Sequence, residues 1–178
     1  MSAPWLVAID LQHVFADPAS PWASPDADRA LRASQELVAT FEDRVVLTRF
    51  EPDPEPRGSW ADYYRAWPFA LEALERDPRT YDLLLDPGDA PVLTRPTMGK
   101  YGPDLLRLTG GSRDLVLCGV ATDCCVLSTA LAAADDGAWV RVVADACAGS
   151  SAEAHERSLA AMAAYAPQVE VLSAADLG

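Results

Sequence analysis

Six short runs rich in Val, Leu and Ile recur along the chain: WLVAID (5–10), RVVLTR (44–49), APVLTR (90–95), DLVLCG (114–119), WVRVVAD (139–145) and QVEVLS (168–173). Most are continuously apolar rather than alternating. A strand with one wet face alternates, whereas a strand covered by helices on both sides of a parallel sheet does not. Helical patterns lie between the runs. Residues 26–41 follow Ser24-Pro25, a cap-and-Pro start, and place Leu31, Leu37, Val38 and Phe41 on one face. Residues 102–109, 123–136 (ending at Gly137, a C-cap signal) and 151–165 (opening on a cap-like serine) complete the alternation. Strand and helix in turn predict a doubly wound α/β domain.

The chain has 178 residues, which at about 100–200 residues per domain predicts a single domain over 1–178. Half the residues are hydrophobic, enough for a substantial core and against disorder. The apolar runs are far short of the roughly 20 residues a membrane span requires, so no membrane partner is expected. The net charge of −13 repels phosphate backbones and argues against a nucleic-acid partner. MSAPWLVAIDLQ carries no basic n-region and no adequate h-region, so it is expected to be the first strand rather than a signal peptide. A cytoplasmic location and reduced thiols follow as expectations. One stretch breaks the rhythm. Residues 51–69 (EPDPEPRGSWADYYRAWPF) carry three alternating prolines and then Trp60, Tyr63, Tyr64 and Trp67. An insertion of this kind is either a lid over a site or a structural excursion whose rings pack on the body or on another subunit.

In open α/β sheets, ligands bind at the carboxyl ends of the strands. The reactive side chains expected there are Asp10, Arg49, Lys100, Cys125 and Asp145. Lys100 is the one lysine against thirteen arginines. This fits either composition bias or a position where a compact ammonium is needed. Thr122 is a good N-cap, which would put Cys125 in a first helical turn, where free N–H groups stabilise a thiolate and could bind an oxyanion. A nearby Lys100 would lower the thiol pKa, and a nearby Asp10 would take its proton and return it to a leaving amine. That set of groups suits covalent acyl transfer. Cys118 and Cys147 are expected to pack in the core, and Cys124 is also expected to be buried. A redox role for Cys124 and Cys125 is disfavoured, because they are adjacent rather than spaced as C-x-x-C.

The segments AIDLQHVF (8–15), VVLTR (45–49), RPTMGKYG (95–102), LCGVATDCCVLSTALAAADDG (117–137) and VVADACAGSSAEAHERSL (142–159) span nearly the whole chain. In order and spacing they resemble the isochorismatase-like cysteine hydrolases, the superfamily of nicotinamidases, N-carbamoylsarcosine amidases and isochorismatases. The resemblance implies a three-layer αβα, Rossmann-like fold with a six-stranded parallel sheet in order 3-2-1-4-5-6. It implies a catalytic triad of Asp10, Lys100 and Cys125, and a cis peptide between Val120 and Ala121. The Ala121 amide would then join the Cys125 amide as an oxyanion hole. Gln12 and Phe15 are expected to line the pocket beside Asp10, and Trp60, Tyr64 and Trp67, with Tyr63, are expected either to close over it or to pack within the lid. His155 matches a recurrent position and is expected to be structural.

Nicotinamidases hold a metal with an Asp-x-His pair after the second strand and a further His. Here that place reads TRFEPDPEP, and the histidines are His13 and His155. No metal and no cofactor is therefore expected. The resemblance points to cleavage of a C–N bond in a small amide, carbamoyl or ureido substrate. The alternatives are vinyl ether hydrolysis and a catalytically silent small-molecule binding protein. It also implies a homodimer or homotetramer.

Overall fold

Six strands, β1 (Trp5–Ile9), β2 (Val45–Phe50), β3 (Val92–Arg95), β4 (Asp114–Val120), β5 (Trp139–Ala148) and β6 (Val169–Leu172), form one sheet in the order β3-β2-β1-β4-β5-β6. Every neighbouring pair is parallel. This is the computed structural model of the chain, and it describes residues 3–177. Met1, Ser2 and Gly178, which the expected 1–178 span includes, lie outside the described residues.

The apolar runs become strands because each residue has a buried destination whichever way it points. In β1, Leu6 and Ala8 enter one core, while Val7 and Ile9 enter the other. In β4, Val116 and Cys118 join the first core, and Leu115 and Leu117 the second. The first core is closed by α1 (His13–Ala16), α2 (Ala27–Phe41), α3 (Ser59–Ala66) and α4 (Phe69–Arg76). The second is closed by α5 (Pro103–Leu108), α6 (Leu127–Asp135) and α7 (Ala152–Ala163). The insertion at 51–69 is therefore substantially helical, supplying α3 and the start of α4.

Some local expectations change. The helix after Ser24-Pro25 starts at Ala27 with no side-chain cap. Ser151 does cap α7, its hydroxyl accepting from the Ala154 amide at 3.1 Å. Thr122 is not an N-cap: residues Thr122–Val126 form a single π-helical turn, and α6 proper begins at Leu127. Cys125 lies near the end of that wide turn rather than in the first turn of an α-helix. The Thr122 hydroxyl instead pairs with His155 Nδ1 at 2.8 Å, tying the turn to α7.

Gly119 on β4 is paired with Ile9 on β1. Gly119 has φ +115, and a Cβ there would lie 2.1 Å from the Ile9 carbonyl oxygen. Only glycine fits, so the two strands that end next to the candidate site can approach each other at this point.

Candidate active site

β1 ends at Ile9, and Asp10 follows with φ +49, a left-handed conformation that non-glycine residues seldom adopt. Its amide donates to the carbonyl and the hydroxyl of Thr48 on β2, each at 3.2 Å. The Thr48 hydroxyl in turn donates to Asp10 Oδ1 at 2.6 Å. One carboxylate oxygen is thus held by β2, leaving Oδ2 for the lysine.

Lys100 comes from the loop after β3, at the sheet edge, two strands away from β1. The loop crosses that gap because α6 anchors it. The Lys100 amide donates to Thr129 Oγ1 at 2.9 Å, and that hydroxyl donates to the Cys125 carbonyl at 2.6 Å. Thr129 therefore joins the backbones of two candidate residues. The Lys100 ammonium lies 2.9 Å from Asp10 Oδ2, donates to the Thr97 carbonyl at 2.7 Å, and sits 5.3 Å from the centre of the Phe50 ring. Both charged side chains are fully buried. A pair so placed is a costly way to gain stability, since desolvation offsets most of its attraction. Burial of this kind is therefore a pointer to function.

Cys125 is 4% exposed, and its side chain reaches a cavity of about 340 Å³. Burial pushes its thiol well above the ordinary value; the neighbouring Asp10 adds to this, and Lys100 opposes it. The expected lowering by Lys100 is therefore outweighed. Desolvation penalises the thiolate more than one already paired ammonium relieves it. The thiol sits beside the Asp10 carboxyl, which contributes to the upward shift. The Val120–Ala121 peptide is cis, and Ala121 and Cys125 both line the cavity.

Of the five strand-end candidates, the fold brings together Asp10, Lys100 and Cys125. Arg49 stays at the surface, bonded to Thr94. Asp145 lies within β5, which continues to Ala148, and its carboxylate accepts from the Ala174 amide at 2.9 Å. Cys118 and Cys147 are fully buried. Cys124 is not: it is only half-buried and shares the cavity wall with Cys125.

Of the expected pocket residues, Phe15 and Trp67 line the cavity, and so does Tyr63. Gln12, Trp60 and Tyr64 do not. Gln12 is fully buried, and its amide is spent on the backbone. Nε2 donates to the carbonyls of Phe50 at 2.9 Å and Tyr81 at 2.6 Å, and Oε1 accepts from the Phe50 amide at 2.8 Å. Trp60 and Tyr64 form a layer behind Tyr63 and Phe50. Trp22, from a short Pro-flanked segment, holds the cavity's aromatic wall together, with ring centres at 4.8–6.2 Å from Phe15, Phe50, Tyr63, Trp67 and Phe69. Trp22, Thr48 and Thr129 were missed in the sequence. For Thr48, a polar residue in an apolar run was the available signal. Trp22 and Thr129 had none.

Among the described residues, no three His, Cys, Asp or Glu side chains cluster closely enough to hold a metal ion. The segment after β2, where the resemblance would put an Asp-x-His pair, carries Glu51 and Asp53 but no histidine, so its residues do not fit such a centre. No helix among the described residues is long and apolar enough to cross a membrane.

The family model for the isochorismatase domain matches residues 4–176. Isochorismatase domain-containing protein 2 of Xenopus laevis is 54% identical over 39 residues, which cover 22% of this chain and only 19% of that protein. A cysteine hydrolase from Pseudomonas syringae pv. phaseolicola 1448A superposes with a TM-score of 0.80 at 18% identity, over 98% of this chain and 90% of its own. N-carbamoylsarcosine amidase from Thermoplasma acidophilum gives 0.73 at 21% identity, over 97% and 96%. The pyrazinamidase of Pyrococcus horikoshii in complex with zinc gives 0.73 at 22%, over 97% and 99%. At these identities, the structural likeness speaks to the fold.

Proposed function

The chain belongs to the isochorismatase family, and on that premise we propose that it is a cysteine hydrolase that cleaves a C–N bond of a small amide, carbamoyl or ureido compound. The observation that carries this reading is the fully buried Lys100–Asp10 pair behind a cavity-lining Cys125 thiol. Cys125 Sγ attacks the carbonyl carbon as its proton passes to Asp10. The carbonyl electrons move onto oxygen, where the Ala121 and Cys125 amides receive them as an oxyanion hole. The oxyanion collapses, the C–N bond breaks, and the departing nitrogen takes the proton from Asp10. Water then attacks the thioester and gives a proton to Asp10. The S–C bond breaks, the acid leaves, and the proton returns to sulfur. Lys100 holds Asp10 in place and offsets the charge that builds on either partner.

The same reading makes the protein a homodimer or homotetramer of the cytoplasm, acting on a small molecule. The test is ammonia release from a panel of small amides, carbamoyl compounds and ureides, with Cys125→Ala beside the wild type and EDTA present. Release that needs Cys125 and ignores EDTA is the expected result. Equal release by wild type and variant would overturn the proposal. Binding without turnover by either would favour a silent binding protein.

A further inference from the structure

The walls of the cavity are chemically one-sided. Phe15, Trp22, Phe50, Tyr63, Trp67 and Met98 supply flat or apolar surface. Among the described residues, no arginine, lysine or histidine lines it. The nearest ammonium, on Lys100, is fully buried and already committed to Asp10 and the Thr97 carbonyl. The ionisable carboxylate on the wall is Asp123. Its two oxygens accept from the Ser150 amide at 2.8 Å and the Ser150 hydroxyl at 2.6 Å, so it is held in place by neutral donors rather than neutralised by a cation. The hydroxyl that Tyr63 contributes is a neutral donor, held as the phenol with its pKa pushed up to about 12, mostly by burial.

We propose that this cavity selects by charge: it admits uncharged substrates with a flat apolar body and rejects those bearing a carboxylate, with Asp123 as the discriminating residue. A ligand carboxylate entering it would lose its hydration, meet no cation, and face a fixed negative charge. An uncharged amide loses far less hydration energy, needs no cation, meets no like-charge repulsion, and gains contact with the rings. The chain's net charge of −13 works in the same direction at longer range. This inference rests on the reading of Cys125 as the group that meets substrate, but it can be tested without knowing the substrate.

Iodoacetamide and iodoacetate are nearly the same size and differ in amide against carboxylate. Their rates at Cys125 are read by tandem mass spectrometry of the peptide, which separates Cys125 from Cys124. The urea-denatured protein supplies the intrinsic ratio. The expected preference for iodoacetamide in the folded protein exceeds that ratio by about 30-fold or more, the scale of an uncompensated like-charge contact. Asp123→Asn keeps an acceptor for the Ser150 amide and is expected to narrow the preference about tenfold. An unchanged preference in a folded Asp123→Asn protein would overturn the role of Asp123. Equal ratios in folded and denatured wild type would overturn charge selection altogether while leaving the hydrolase reading in place. That comparison does not depend on the variant folding. Folded protein whose Cys125 reacts with neither reagent would overturn both.

Discussion

Gln12 offers the sharpest contrast between a binding residue and a structural one. Its side chain makes three buried hydrogen bonds to backbone, joining the end of β2 at Phe50 to the segment around Tyr81. Replacing it with methionine keeps the length and nearly the volume, so little cavity is created. The Phe50 amide would lose a buried acceptor, at a cost of about 2–3 kcal/mol. The two carbonyls would lose donors, and under-satisfied carbonyls are better tolerated, at about 1 kcal/mol each. The expected loss is therefore about 4 kcal/mol, a large share of the roughly 5–15 kcal/mol that holds a typical domain folded. With a urea m-value of about 2 kcal/mol/M, the unfolding midpoint falls by about 2 M. Urea unfolding followed by tryptophan fluorescence measures this, and kinetics on the fraction still folded separates KM from kcat. A loss below about 1 kcal/mol, accompanied by a raised KM, would refute the reasoning and return Gln12 to the substrate pocket.

Other outcomes follow from the same geometry. Lys100→Met leaves the Asp10 carboxylate buried and unpaired and is expected to cost about 3–5 kcal/mol in urea unfolding; a neutral effect would mean the pair is solvated. Gly119→Ala, whose Cβ would meet the Ile9 carbonyl at 2.1 Å, is expected to lose both stability and Cys125-dependent turnover, because β1 and β4 must separate; wild-type behaviour in both assays would contradict the close approach. Burial lowers the His155 pKa below its ordinary 6.5, so the folded protein binds fewer protons there than the unfolded chain. Its contribution to stability is present above that value and is lost as pH falls through the lowered folded pKa. Unfolding measured from pH 8 to 5 should show this slope, and His155→Gln should flatten it. Light scattering at micromolar concentration is expected to give a dimer or tetramer, and a monomer would overturn that reading.

Much of this architecture is legible in the residues themselves. Mostly unbroken Val, Leu and Ile runs suit strands covered on both faces, and their alternation with helical patterns pointed to the parallel sheet. Asp10, Lys100 and Cys125 were among five reactive side chains expected at strand ends, and the resemblance to the cysteine hydrolases, rather than position alone, set them apart from Arg49 and Asp145. What the sequence could not give is what each buried polar group bonds to. Gln12 looks like a pocket residue beside Asp10, yet the Phe50 amide and the carbonyls of Phe50 and Tyr81, 38 and 69 positions away, occupy its side chain. Thr122 looks like a helix cap, yet His155, 33 positions on, takes its hydroxyl. Trp22 lies outside the aromatic insertion but becomes the centre of its cluster. The strands, the covering helices and a short set of candidate reactive residues were legible in the residues alone, because they follow from local hydrophobic period and residue chemistry. The burial of the thiol, the identity of the cavity wall and the reach of Lys100 across two strands came from the three-dimensional packing alone. Desolvation and hydrogen-bond pairing depend on which distant residues meet, and no local pattern records that.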